Sequence, residues 1–201
     1  MPDQDRVVLR TATVEDRVDA IQAALDAKGL KASEAIEELG HKAQEEWLPR
    51  NGARIVARAW ADPDFRRRLL ANGRDAALEM GFPMPKHHRH LVVLENTPKV
   101  QNVICCTLCS CTAFTLIGLP PDWYKDLEYR SRVVRESRTV LKELGLELEP
   151  GVEIRVWDTT ADTRYMVLPE RPTHTAGWSE EQLAAIVTRD SLIGVARLQE
   201  R

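Results

Sequence analysis

All four cysteines of this 201-residue chain stand in one stretch, "ICCTLCSC", residues 104–111. They are Cys105, Cys106, Cys109 and Cys111, and no other thiol exists. A disulfide framework needs partners at a distance in sequence, and here there are none. Cys105 and Cys106 are adjacent, a poor geometry for a bridge. The chain must therefore fold around a buried core, which 201 residues are enough to build. In a reducing compartment, clustered cysteines more often mean metal or redox chemistry than staples.

Composition narrows the class. Hydrophobic residues make up 43% and charged residues 29%, as in an ordinary globular protein. Lys and Arg number 28 against 31 Asp and Glu, a net charge of -3, so nothing favours nucleic acid or an anionic membrane as partner. No apolar run approaches ~20 residues, so no bilayer-spanning helix is expected. "MPDQDRVVLR" puts acids where a signal peptide needs a basic end and an apolar stretch. The expectation is a cytoplasmic protein.

The first part of the chain reads as helices. Thr13, with Asp16 at the third position, caps a helix whose face carries Val14, Val18, Ile21 and Leu25, closed by Gly29. Ser33 opens a second helix, through Ile36 and Leu39 into Trp47, ending before Pro49. Residues 51–60 read as a third. Asp62-Pro63 starts a fourth, through Phe65 to Gly73, and 74–80 a short fifth. From Pro83 the texture changes. "MPKHHRH" (84–90) reads as a polar linker and 91–96 as a buried strand. A double proline then opens one long amphipathic helix from about Pro121 to Leu144. Residues 152–158 and 164–169 read as strands, 179–187 as a capped helix and 192–196 as a last strand. The fold class expected is α+β: a helical region over 1–82, then an α+β metal-binding domain over 83–201.

Cys106, Cys109 and Cys111 form a C-x-x-C overlapping a C-x-C, so three thiolates share one centre. A structural zinc site wants a second pair of ligands from elsewhere. The five histidines, His41, His87, His88, His90 and His174, lie outside the loop at no zinc-finger spacing. The peptide nitrogens of Ser110 and Cys111 lie between the sulfurs and can bind a metal once deprotonated. Such a set leaves one open position on an octahedral ion and suits a trivalent ion better than Zn²⁺. Other readings stand beside this one: small buried hydrophobes, a zinc site completed by a partner chain, or a thiol redox sensor. Cys105 reads as packing, and "HHRH" (87–90) as a solvated basic linker.

"CTLCSC" (106–111) resembles the metal-binding motif of nitrile hydratase α subunits, in the cobalt form, where Thr107 stands in place of the Ser of the iron form. "RNGARIVARAW" (50–60), "VVLENTPKVQNV" (92–103), "GLPPDWYKDLEYRSRVVRESRTVL" (118–141), "DTTADTRYMVLPERP" (158–172) and "GWSEEQL" (177–183) are similar to family stretches too. The γ subunit of thiocyanate hydrolase shares the motif and is the alternative. A non-enzymatic metal or redox module is the second alternative.

The resemblance implies one Co(III) per chain, with iron the lesser choice. Its ligands are the sulfurs of Cys106, Cys109 and Cys111 and the amide nitrogens of Ser110 and Cys111. It implies Cys109 as a sulfinic and Cys111 as a sulfenic acid, with Cys109, Ser110 and Cys111 catalytic. The metal acts as a Lewis acid on a nitrile carbon, water or the Cys111 sulfenate oxygen attacks, and an amide results. It implies a β-type subunit whose arginines hold the oxidised cysteines, with helices 1 to about 80 wrapping that partner, and an activator protein that inserts the cobalt. Asp158, Asp162 and Arg164 correspond to an acid–acid–arginine network behind the site. The chain departs from the family's usual "CSCTPWP": "CSCTAFT" (109–115) has Ala113, Phe114 and Thr115. Phe114 replaces a tryptophan that lines the substrate channel, which implies a reshaped pocket and a bulkier nitrile. Asp162 is more often Glu.

Overall fold

The computed structural model describes residues 12–198. The signal-peptide reading of residues 1–10 lies outside them. The chain divides into two compact units, Met1–Glu45 and Glu46–Arg201.

The first unit holds α1 (Val14–Asp26) and α2 (Ala32–Glu45). The capping box forms as the sequence suggests. Thr13 Oγ1 accepts from the Asp16 amide at 3.1 Å, and the Asp16 carboxylate accepts from the Thr13 amide at 3.1 Å. Gly29 takes the left-handed conformation that ends the turn. Yet no residue of either helix is buried. Val14, Val18 and Ile21 share the predicted face and are 68%, 53% and 61% exposed.

The second unit begins with three helices: α3 (Pro49–Ala61), α4 (Pro63–Ala71) and α5 (Gly73–Glu79). Proline at the first turn of α3 and α4 wastes no hydrogen bond, since those amides are orphans anyway. The Asp62 and Asn72 side chains cap α4 and α5. Ile55, Val56, Phe65 and Leu69 face inward and are fully buried. The change of texture at Pro83 is thus a change of secondary structure inside one unit.

Four strands follow: β1 (His90–Glu95), β2 (Val100–Cys105), β3 (Glu153–Asp158) and β4 (Thr163–Leu168). β1 pairs parallel with β4, and β2 pairs parallel with β3. Two-stranded parallel pairs are weak alone, because each has a single ladder and little buried face. Here buried amides tie β1 to β2. Asn102 donates from its backbone to Asn96 Oδ1 at 2.8 Å and from Nδ2 to the Glu95 carbonyl at 2.9 Å. Trp157 Nε1 on β3 donates to Asn102 Oδ1 at 2.9 Å. The sequence reading expects no strand at 100–105, yet β2 forms there. It carries Val103, Ile104 and Cys105 into the core.

Between β2 and β3 run α6 (Phe114–Ile117), α7 (Asp122–Lys125), α8 (Leu127–Arg132) and α9 (Ser137–Glu143). The single helix expected from Pro121 to Leu144 is therefore three. Asp126 is extended, at φ -60° and ψ 131°, and its carboxylate accepts from the Glu128 amide. A side chain that bonds nearby backbone competes with helix continuation. Glu136, at ψ 45°, makes the second break.

After β4, α10 (Glu180–Ile186) starts at a Ser179–Gln182 capping box. The strand expected at 192–196 is instead α11 (Arg189–Ile193) and its exit. Thr188 caps it with Ser191, and Gly194 ends it at φ 92°. A five-residue apolar run does not tell strand from buried helix by periodicity. No helix of the described residues is long and apolar enough to cross a membrane.

Gly194 is held twice over. Its φ is left-handed, and a Cβ there would lie 1.9 Å from the Asn102 carbonyl oxygen. Gly145 has a similar φ of 91° with nothing within 4 Å of its Cβ position. Gly145→Ala is expected to cost about 1–2 kcal/mol, the left-handed penalty alone. Gly194→Ala is expected to cost more than about 4 kcal/mol or to prevent folding. Urea midpoints of the two variants check this.

Candidate metal centre

The cysteine loop leaves the carboxyl end of β2, where Cys105 stands opposite Asp158 at the end of β3. Loops at the carboxyl ends of parallel strands are a common place for sites, because the strands fix them at the sheet's rim. Cys106 is buried, Cys111 half-buried and Cys109 exposed. Their sulfurs all lie within 4.8 Å of one another. Cys106 and Cys109 are 3.5 Å apart, and Cys109 and Cys111 2.7 Å. Donors about 2.3 Å from one ion stand roughly 3.3 to 3.8 Å apart, so three sulfurs gathered this closely can share one ion. Cys105 points into the core and takes no part in the group.

The turn that gathers the sulfurs is strained. Ser110 has φ 62°, the one positive value at a non-glycine among the described residues. Such a conformation costs of order 1–3 kcal/mol and must be over-determined by its surroundings. The surroundings are specific. Arg130 Nε donates to the Cys106 carbonyl at 3.0 Å, and Arg130 Nη2 to the Thr107 carbonyl at 2.8 Å. Tyr124 Oη donates to the Cys111 carbonyl at 3.1 Å, and Tyr129 Oη to the Ile104 carbonyl at 2.9 Å. Asp158 accepts from the Thr107 amide at 2.9 Å and from its hydroxyl at 2.5 Å. Ser110 Oγ donates to the Cys109 carbonyl at 2.5 Å.

The thiols differ by environment. Burial pushes Cys105 up to about 12, helped by the nearby Asp158 charge. Burial also raises Cys106. Hydrogen bonds from Thr159 and from the Cys109 and Cys111 amides outweigh it and bring the thiol down to about 6. Cys111 is pushed up to about 11, by burial first and then by Cys109, against the pull of Arg164. Of Cys105, Cys106 and Cys111, Cys106 is thus the one most ready to bind as thiolate.

Of the expected network, the three members do not pair with one another among the described residues. Asp158 serves the loop. Asp162 accepts from the Thr160 and Thr163 hydroxyls, each at 3.1 Å, which hold its carboxyl below the usual range. Arg164 is buried and donates to the carbonyls of Thr160 and Thr163. Phe114, half-buried at the start of α6, lies against Trp47 at 4.5 Å and His88 at 4.9 Å between ring centroids.

His88 corrects the reading of "HHRH" as a solvated linker. It is fully buried, and neither ring nitrogen has a hydrogen-bond partner. Burial lowers it to about 4, with the charges of Arg164, His87 and Arg74 adding to the effect. The residue was missed because a run of polar letters gives no sign that one ring turns inward onto Phe114. Arg130, Tyr124 and Tyr129 were missed because the helix breaks that aim them were not foreseen.

The description "Nitrile hydratase, alpha chain" matches residues 12–196. The chain is 51% identical to the low-molecular weight cobalt-containing nitrile hydratase subunit alpha of Rhodococcus rhodochrous over 180 residues, which is 90% of this chain and 86% of that one. A double mutant of the Fe-type nitrile hydratase from Comamonas testosteroni Ni1 superposes with a TM-score of 0.89 at 56% identity, covering 94% and 91% of the two chains. The thiocyanate hydrolase subunit gamma of Thiobacillus thioparus is 44% identical over 158 residues, 74% of this chain and 65% of that one. Fold and site together define a subunit with a three-cysteine metal centre on an α+β scaffold. The chain belongs to the nitrile hydratase α-chain family, which makes it a subunit of a hydro-lyase.

His88 carries a pH prediction. Between its ordinary 6.5 and about 4 the imidazole is neutral in the folded chain and protonated in the unfolded one. Acid therefore favours unfolding across that window, by an amount on the order of 2 kcal/mol. His88→Phe is expected to flatten the fall in urea stability between pH 7 and pH 4.5. An equal fall in both proteins would assign the effect to other groups.

Proposed function

We propose that this chain carries the catalytic centre of a cobalt nitrile hydratase, which converts nitriles to amides in company with a β-type subunit. The observation that carries the reading is the convergence of Cys106, Cys109 and Cys111 within 4.8 Å. Cobalt is preferred to iron on Thr107 of the motif and on the cobalt-containing Rhodococcus relative. The Fe-type structural relative makes iron the outcome to test against. Three sulfurs fit the ion, and the amide nitrogens of Ser110 and Cys111 would complete the set. Bound there, a trivalent ion supplies Lewis acidity toward a nitrile carbon.

The chain's own residues do the rest. Cys111, as a sulfenate, would present an oxygen to the substrate, and Cys109 would be the sulfinate. Phe114, braced by Trp47 and His88, would form one wall of the substrate pocket. The smaller ring and the absence of the two prolines favour bulkier nitriles. Asp158 would act through Thr107, while Asp162 and Arg164 would shape the backbone behind the loop.

A partner would cover what this chain leaves open. Leu108, beside the cysteines, is 85% exposed, a large apolar side chain that a partner surface would cover. The apolar face of Val14, Val18 and Ile21 gives the same partner a second place to bind. An activator protein would insert the cobalt.

The test is an assay on the co-expressed heteromer. Amide from nitrile is expected. Carbonyl sulfide and ammonia from thiocyanate would instead favour the thiocyanate hydrolase reading, which the Thiobacillus relative keeps open. Elemental analysis is expected to find one cobalt per chain, and mass spectrometry three added oxygens. Cys109→Ser and Cys111→Ser should each abolish activity, while Cys105→Ser should retain it. Zinc with unmodified thiols in an active preparation would falsify the reading.

A further inference from the structure

The loop between Cys105 and Thr112 is not gripped evenly. The peptide joining Cys106 to Thr107 is held from both sides. Arg130 takes its carbonyl at 3.0 Å, and Asp158 takes its N–H at 2.9 Å. Arg130 then reaches the next carbonyl, Thr107, at 2.8 Å, so two adjacent N–H groups of one guanidinium span two consecutive peptides. A planar fork suits that task, and a lysine ammonium does not. Past Thr107 the grip loosens. Leu108 and Cys109 are exposed, and Ser110 sits at φ 62°. Cys111 is held again, through its carbonyl, by Tyr124.

We propose that Arg130 is a positioning residue for the metal centre: it holds Cys106 as the fixed first ligand, so that ion capture has to order only Leu108–Cys111. This rests on the cysteine loop being the metal centre. Arg130 touches no ligand sulfur and acts through backbone carbonyls, so its effect falls on capture of the ion rather than on the chemistry after capture. Partners one step removed from a metal commonly change affinity 10- to 100-fold when lost.

The experiment uses the co-expressed heteromer, with Arg130→Gln, Arg130→Lys and a control, Arg135→Gln. Arg135 lies just past α8 and, among the described residues, its side chain donates within its own turn, to the Ser131 carbonyl. Each protein is stripped, melted metal-free, then titrated with cobalt alongside the activator protein while the sulfur-to-metal absorption band is followed. Arg130→Gln is expected to weaken uptake about 10-fold or more. Arg130→Lys should recover part of it, and Arg135→Gln should match the parent. KM of the loaded fraction should stay unchanged. Parental uptake by Arg130→Gln would overturn the proposal. So would equal losses in Gln and Lys variants that track a lowered melting point, which is the mark of a purely structural tie. Failure of the parent protein to take up metal would overturn this proposal and the metal-centre reading together.

Discussion

The site depends on one pairing: the parallel ladder that sets Cys105 opposite Asp158. These residues are 53 positions apart, and nothing local brings them together. Once β2 and β3 lie side by side in that register, a carboxylate stands at the mouth of the cysteine loop and takes its first free amide. A parallel pair also demands a crossover, here occupied by α6 to α9. The same topology that supplies Asp158 from one side therefore obliges a helical connection on the other, and that connection supplies Tyr124, Tyr129 and Arg130.

Two short parallel pairs would make a poor scaffold alone. The buried amides of Asn96 and Asn102 make them one, since each satisfies backbone that a missing ladder would leave unpaired. Gln101 extends the stitching to the carbonyl of Gly194 at 2.7 Å. The amino-terminal end of β2 is thus pinned by polar contacts and its carboxyl end by the core around Ile104. A strand fixed at both ends gives a loop with a defined origin.

Much of this was legible in the chain. Caps announced themselves: Thr13 with Asp16, Asp62 before Pro63, and Ser179 with Gln182 all behave as their local chemistry requires. The metal group was legible because sulfur donors at short spacing have few other uses. What stayed hidden was set by distance. The pairing of β2 with β3 is a long-range choice that short hydrophobic runs do not encode. The division of Pro121–Leu144 into three helices turned on Asp126, whose carboxylate prefers the Glu128 amide to helix continuation. In one unbroken helix, Tyr124 and Arg130 would stand about 120° apart around the axis. The break is what lets both address one loop. His88 was hidden for a different reason: its burial depends on Phe114, 26 residues away.

Cys105 lies one peptide bond from a ligand, yet its thiol is fully buried and hard to ionise. Oxidants act on thiolates they can reach. An oxidising agent arriving at the surface meets Cys109 first, while Cys105 is withheld by the packing of β2 itself. The fold thereby sorts four neighbouring cysteines into those exposed to oxidation and one protected from it. A chain built this way can carry a spare sulfur beside a reactive centre without a competing disulfide, because the selectivity lies in the side to which each residue turns.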